Sequence, residues 1–336
     1  MKISIMFFVL LLLQNLTLST QIYEQISHVV HLENDQYIIS TKGGNFHAHI
    51  YDAKRDSITY SFIRNGGGPG EARSIETFTD CGNGTFVFLS SSGKLLVYDS
   101  EFNLFTEHET IQSSGHSLFC SEKKVTIGFA SYYRMDQMQS DSKFPVGITY
   151  NILTGEMISE ATLRGTDLFL GKNASFKNVQ LLMIEFYVAH LADGKYFVSI
   201  NGSPVVYFVE DETKIIQYNF GKIKDIGFIE VENPAYGYGQ RKGMVNTNWQ
   251  ITQKNDDRIF RFSFGGALEK IKYGYAELTI NAKSDVEIKF QEFDSSFQDE
   301  LLELETNMII VSGEKTSLVY HFMPNFANYV YVKQLD

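Results

Sequence analysis

Three groups of residues have types and spacing that could do chemistry. The first is Arg64-Asn-Gly-Gly-Gly-Pro-Gly-Glu71, with Arg73 just beyond it. A glycine-rich run invites comparison with a phosphate cradle. It lacks the Lys-Ser/Thr pair that such a loop needs, and no helical period follows it. Its glycines instead supply positive φ values and Pro69 sets the turn, as a tight crossover between strands requires. The charges of Arg64, Glu71 and Arg73 are left as candidate ligand contacts at that corner.

The second group is tyrosine and arginine on long connections. Tyr132, Tyr133 and Arg134 fall in Ser131–Pro145, and Tyr236, Tyr238 and Arg241 in Asn233–Lys242. Tyr and Arg join large contact area to directional polar groups, which is why they dominate binding hot spots. Long loops on a rigid scaffold are where such residues concentrate. The third group is His47 and His49, which alternate on one strand face, with His28 and His31 upstream. Two same-face histidines are a start on a metal site, but no third ligand declares itself, so ordinary strand histidines are expected. Asp256-Asp257 lacks the spacing of a calcium loop. Neither G-x-S-x-G nor H-E-x-x-H occurs. A Ser-His-Asp triad needs no proximity in sequence, and nothing selects one. No catalytic residue, metal ligand set or cofactor is therefore assigned.

The elements that must position these residues read as β-strands throughout. Gln36–Ser40, Thr85–Leu89, Lys94–Tyr98, Lys195–Ile200, Arg258–Phe262 and Met308–Val311 are short apolar runs separated by Gly, Asn, Asp and Ser. That pattern defines an all-β chain. The 27 Phe and 19 Tyr suit half-buried pleated surfaces. Only Ser296–Glu305 hints at a helix, through Ser296 and Asp299 ahead of Leu301, Leu302 and Leu304; it reads equally well as a polar loop. A weak phrase recurs: a strand, a strand ending in an aromatic plus Asp or Asn (Tyr51-Asp52, Tyr98-Asp99, Tyr150-Asn151), then another strand. Ser74–Thr79 and Ser117–Cys120 supply innermost strands. Four-stranded units at this spacing predict a β-propeller, and about 50 residues per blade gives about six blades, with five or seven as alternatives. The aromatic end Asn328–Val332 is expected to help close the ring.

Residues 1–20 have the form of a secretory signal: Lys2, an apolar run from Ile3 to Leu13, and a polar exit at Thr17–Thr20. Cleavage is expected near Thr20, leaving 21–336 as one propeller domain, monomeric and without a membrane-spanning helix. No cysteine follows the apolar run to carry a lipid at that site. The net charge of −11 argues against nucleic acid and anionic membranes as partners. Cys81 and Cys120 are the only cysteines. They end the innermost strands of adjacent units, so a disulfide is geometrically open to them, as are two buried thiols. Asn83, Asn173 and Asn201 each begin a glycosylation tripeptide.

Phe62, Arg64, Gly66, Gly68, Pro69, Gly70 and Glu71, with the Tyr51-Asp52 and Tyr98-Asp99 strand ends, resemble exported bacterial six-bladed propellers. These are the TolB-like or NHL-like group with a G-x-G-P-G-E segment between blades. The resemblance implies the fold and an extracytoplasmic setting, and it carries no single biochemical activity. The expectation is a non-catalytic binding or scaffolding propeller, periplasmic or secreted, that engages a protein or glycan on its loop-rich face. The alternatives are a calcium-dependent hydrolase of lactonase type and an assembly factor of the cell envelope.

Overall fold

A computed structural model describes residues 25–32, 35–55, 57–82, 84–110, 115–121, 123–134, 140–167, 181–191, 194–200, 205–209, 215–219, 229–233, 238–242, 247–254, 257–264, 274–280, 286–292, 308–312, 317–322 and 329–334. The expected leader (1–20), the possible helix at Ser296–Glu305 and the three glycosylation asparagines lie outside the described residues.

The chain divides into two compact units, one made of Met1–Gly67 and Asp294–Asp336, the other of Gly68–Phe293. In the first unit, β1 (Gln25–His31), β2 (Gln36–Lys42), β3 (Phe46–Asp52) and β4 (Ser57–Arg64) form an antiparallel meander, each strand paired with the next. β23 (Met308–Ser312), β24 (Ser317–Phe322) and β25 (Tyr329–Gln334) form a three-stranded antiparallel sheet. Its first strand, β23, runs beside β1.

The second unit repeats the meander. β5 (Ile75–Asp80), β6 (Phe86–Ser90), β7 (Lys94–Tyr98) and β8 (Leu104–Glu109) form one sheet. β9 (Gly115–Ser121), β10 (Lys124–Arg134), β11 (Lys143–Asn151) and β12 (Met157–Arg164) pair in sequence, as do β13 (Leu181–His190), β14 (Tyr196–Ile200), β15 (Val205–Val209) and β16 (Ile215–Asn219). A hairpin follows, β17 (Ile229–Asn233) with β18 (Tyr238–Lys242). β19 (Thr247–Lys254), β20 (Asp257–Phe264), β21 (Gly274–Ile280) and β22 (Val286–Glu292) complete the unit.

Burial follows position within each meander. β6, β14 and β15 are buried at every residue, on both faces, whereas β8 and β12 begin exposed and β4 is exposed from its second to its fourth residue. A sheet buried on both faces must be covered on both faces. In the second unit, Val87, Leu89, Leu95 and Val97 form one apolar layer with Leu118, Val125, Ile127, Phe129, Ile148 and Tyr150 of the next meander. A second layer joins Phe144, Val146, Ala161 and Leu163 to Phe186, Val188, Val198 and Tyr207. Each such side chain removed from water contributes about 1.5–3 kcal/mol, so layering between sheets is the main stabilising force. The other face of β6 is an aromatic seam: Phe78 stacks on Phe88 at 5.0 Å, and Tyr98 meets Phe88 edge-on at 5.6 Å.

The recurrent aromatic-Asp/Asn phrase has one physical meaning at three sites. Asp52 Oδ1 accepts the N–H groups of Lys54 (2.9 Å) and Arg55 (3.1 Å). Asp99 Oδ1 accepts those of Glu101 and Asn103, both at 2.9 Å. Asn151 Oδ1 accepts those of Leu153 (2.9 Å) and Thr154 (3.2 Å). Each side chain caps the turn from the third strand of its meander into the fourth, while the preceding tyrosine is buried. The Asn103 and Glu101 amides hold the Asp99 carboxyl below its usual range, with the Asn103 contact the larger cause.

Candidate functional site

The glycine-rich corner is clamped by its own unit. Glu71 Oε2 accepts the Gly68 N–H at 2.8 Å, and the Glu71 N–H donates to the Gly68 carbonyl at 3.1 Å. Lys94 Nζ donates to the same carbonyl at 3.3 Å and pairs with Glu107 at 3.5 Å. Glu107 Oε2 accepts the Gly70 N–H at 2.8 Å, and the Tyr98 hydroxyl donates to the Gly70 carbonyl at 3.1 Å. Gly70 holds φ +69°, and a Cβ there would meet Leu104 Cδ2 at 3.2 Å. The corner is thus a fixed turn, with the Glu71 carboxylate engaged in closing it. Lys94 and Glu107, which sequence reading passed over, do the clamping. Arg73 is exposed. In the first unit, Arg64 is also exposed and its guanidinium lies 5.9 Å from the centre of the Phe46 ring. Just before it, Ile63 takes φ +57°, which lets the consecutive Phe62 and Ile63 both be buried. A β-branched residue in that region is strained.

The described residues of the tyrosine-arginine group lie in strands and not, as expected, on loops. Tyr132, Tyr133 and Arg134 are the last residues of β10, and Tyr238 and Arg241 lie in β18. Lys143–Pro145, expected in the same loop, belong to β11. Tyr236 lies outside the described residues. The reason is a strand that changes partners. β10 pairs with β11 through Lys124–Gly128 and with β9 through Lys124–Phe129, then with β13 through Ala130–Arg134. The expected loop found a partner in the apolar run Leu181–Ile184, which sequence reading had not assigned. The first residues of β13 also accept β18 in parallel, with Leu181 opposite Tyr238 and Leu182 opposite Gly239. Arg134, Leu181 and Tyr238 therefore share one register row, and Tyr133, Leu182 and Gly239 the next. The order β10–β13–β18–β17 brings two distant candidate segments into one small sheet.

Gly128 is the pivot. A Cβ there would overlap the Phe186 carbonyl oxygen and Ser117 Oγ, and would lie 3.0 Å from the Val188 nitrogen. Ser117 Oγ donates to the Phe186 carbonyl at 3.0 Å. Nearby, Thr126 and Thr149 share a hydroxyl hydrogen bond of 3.0 Å, and the His190 N–H donates to Thr126 Oγ1 at 3.2 Å. The connection after β10 is tied at its far end. Thr166 donates through its N–H to the Ser140 carbonyl (3.2 Å) and through Oγ1 to Asp141 Oδ1 (2.9 Å). Arg164 forks onto Asp167 at 2.9 and 3.3 Å, and Gln217 Nε2 donates to the Asp167 carbonyl at 2.8 Å.

The histidines take structural places. His49 bridges Thr41 Oγ1 (3.2 Å) and Ser61 Oγ (2.8 Å), so both ring nitrogens are engaged. His47 Nδ1 donates to the Thr41 carbonyl at 3.2 Å, which fixes the tautomer. His31 lies against the Tyr37 ring at 5.0 Å. Burial pushes its pKa below the ordinary value and outweighs the opposing pull of Asp35. Among the described residues, no three of His, Cys, Asp and Glu converge as a metal site. Cys81 and Cys120 are joined in a disulfide, with Cα atoms 4.8 Å apart.

No protein-family model matches the chain, and no curated protein matches it. Several solved structures are similar to it. A member of the DUF4221 family from Bacteroides vulgatus has 9% identity and a TM-score of 0.48, covering 95% of this chain and 96% of its own. The Cps50 (Swd1) β-propeller domain of Myceliophteria thermophila has 8% identity and a TM-score of 0.47, covering 94% and 99%. BamB from Moraxella catarrhalis has 11% identity and a TM-score of 0.41, covering 95% and 100%. Among the described residues, no helix is long and apolar enough to cross a membrane.

Proposed function

We propose that this chain is an exported, non-catalytic β-propeller of six blades that binds a protein or glycan through one rim. The carrying observation is the small sheet β10–β13–β18–β17, which gathers Tyr132, Tyr133, Arg134, Tyr238 and Arg241 from distant parts of the sequence. Hot-spot chemistry becomes useful when such residues converge on a fixed frame. The propeller reading is supported by antiparallel meanders that succeed one another along the chain, with β6, β14 and β15 buried at every residue in the middle of theirs. It is also supported by β23, from the last sheet, running beside β1. Export rests on the leader-like residues 1–20. Arg64, Glu71, Arg73 and Tyr236 are secondary candidates, with Glu71 serving the corner's shape.

The test is binding by purified full-length chain to a glycan array and to co-exported proteins, with Tyr133→Ala, Arg134→Ala, Tyr238→Ala and Arg241→Ala in parallel. Hot-spot truncation of about 2 kcal/mol corresponds to roughly thirtyfold weaker binding for at least one variant. Unchanged affinity in all four, with a ligand in hand, would remove this rim as the site.

A further inference from the structure

The two cysteines occupy equivalent places in neighbouring meanders. Cys81 directly follows β5, and its N–H donates to the Thr85 carbonyl at 2.8 Å to close the β5–β6 turn. Cys120 is in β9, opposite Val125, at the turn end of the β9–β10 hairpin. β5 and β9, the first strands of their sheets, run side by side. Both cysteines are half-buried and pack on the edge of the apolar layer that joins the two sheets. The disulfide therefore ties the turn ends of two first hairpins whose bodies are already held by burial. Both residues border that layer and keep part of their surface outside it.

We propose that Cys81–Cys120 is a redox-responsive clasp between two sheets. It forms by thiol–disulfide exchange on folded sheets and opens by reduction without melting them. In the forward direction the thiolate of one cysteine attacks a small-molecule or protein disulfide and expels one thiol. The second thiolate then attacks the mixed disulfide, expels the other thiol and leaves the Cys81–Cys120 bond. Two cysteine thiols are oxidised and one external disulfide is reduced to two thiols. Reduction runs the same steps backwards. The clasp sits at one end of the β9–β10 hairpin, and Tyr132–Arg134 end β10 at the other.

The test uses the purified full-length chain, oxidised with glutathione disulfide or reduced with dithiothreitol. Native labelling with a maleimide polymer should add two labels per chain after reduction and none before. Thermolysin should cut between residues 81 and 120 at least tenfold faster in the reduced chain, with the far-UV β signal retained. The Cys81→Ser, Cys120→Ser double variant should behave as the reduced chain does and ignore dithiothreitol. Native thiols that stay unlabelled after reduction, equal cutting rates in the two states, or loss of the β signal on reduction would each overturn the proposal. Because wild-type protein is reduced in its folded state, poor folding of the double variant leaves the test intact.

Discussion

Replacing Gly128 by Ala probes the partner change of β10 most directly. The added Cβ would overlap the Phe186 carbonyl oxygen and Ser117 Oγ, while the Val188 nitrogen stands 3.0 Å away. Two of these three neighbours are backbone atoms of β13, which cannot rotate out of the way. Accommodation must part β10 from β13 or displace Ser117. Forcing one extra methyl into a packed site costs about 1–3 kcal/mol. Losing the hydrogen bond from Ser117 Oγ to the Phe186 carbonyl, 3.0 Å long, adds about 1 kcal/mol. The expected destabilisation is thus about 2–4 kcal/mol, or roughly 5–10 °C in Tm for a domain of this size. Urea titration followed by circular dichroism and by Trp249 fluorescence would measure it. Gly67→Ala is the matched control, because a Cβ there meets nothing within 4 Å. A Gly128→Ala protein within about 0.5 kcal/mol of wild type would refute the close approach of β10 to β13. The arrangement of Tyr132–Arg134 beside β18 would fall with it.

Two further outcomes follow from local geometry. Asn151→Ala removes the acceptor for two turn N–H groups and should cost about 1–2 kcal/mol in urea unfolding, whereas Asn151→Asp should retain most of that; an alanine variant as stable as wild type would mean the turn needs no cap. Burial lowers the folded-state pKa of His31, so the unfolded chain takes up a proton first as pH falls below about 6.5. Stability should therefore be undiminished above that pH and fall progressively below it, less steeply in His31→Gln; a urea midpoint for wild type that is flat or rises from pH 7.5 to 5.5 relative to the variant would contradict this.

Local patterns carried much of the fold. The strand runs Gln36–Ser40, Lys94–Tyr98 and Arg258–Phe262 all lie in strands, because a short apolar run between turn residues has few other uses. The Tyr-Asp and Tyr-Asn pairs were legible because an Asx turn is made by a side chain acting on amides two to four residues away. The glycine corner read as a tight turn for the same reason, since Glu71 reaches only as far as Gly68. Its clamps were not legible, because Lys94 and Glu107 arrive from another hairpin.

The sequence by itself determined an all-β chain, its repeating unit and the residue types available for binding, since these depend on period, turn chemistry and composition. Tertiary structure decided where those residues stand. Ser131–Arg134 looks like a loop because its neighbours in sequence offer it no partner. It is a strand because Leu181–Glu185, brought alongside through Gly128, satisfies its backbone hydrogen bonds. Pairing between distant segments leaves only a faint mark on either one, and the candidate rim of this protein is built from such pairing.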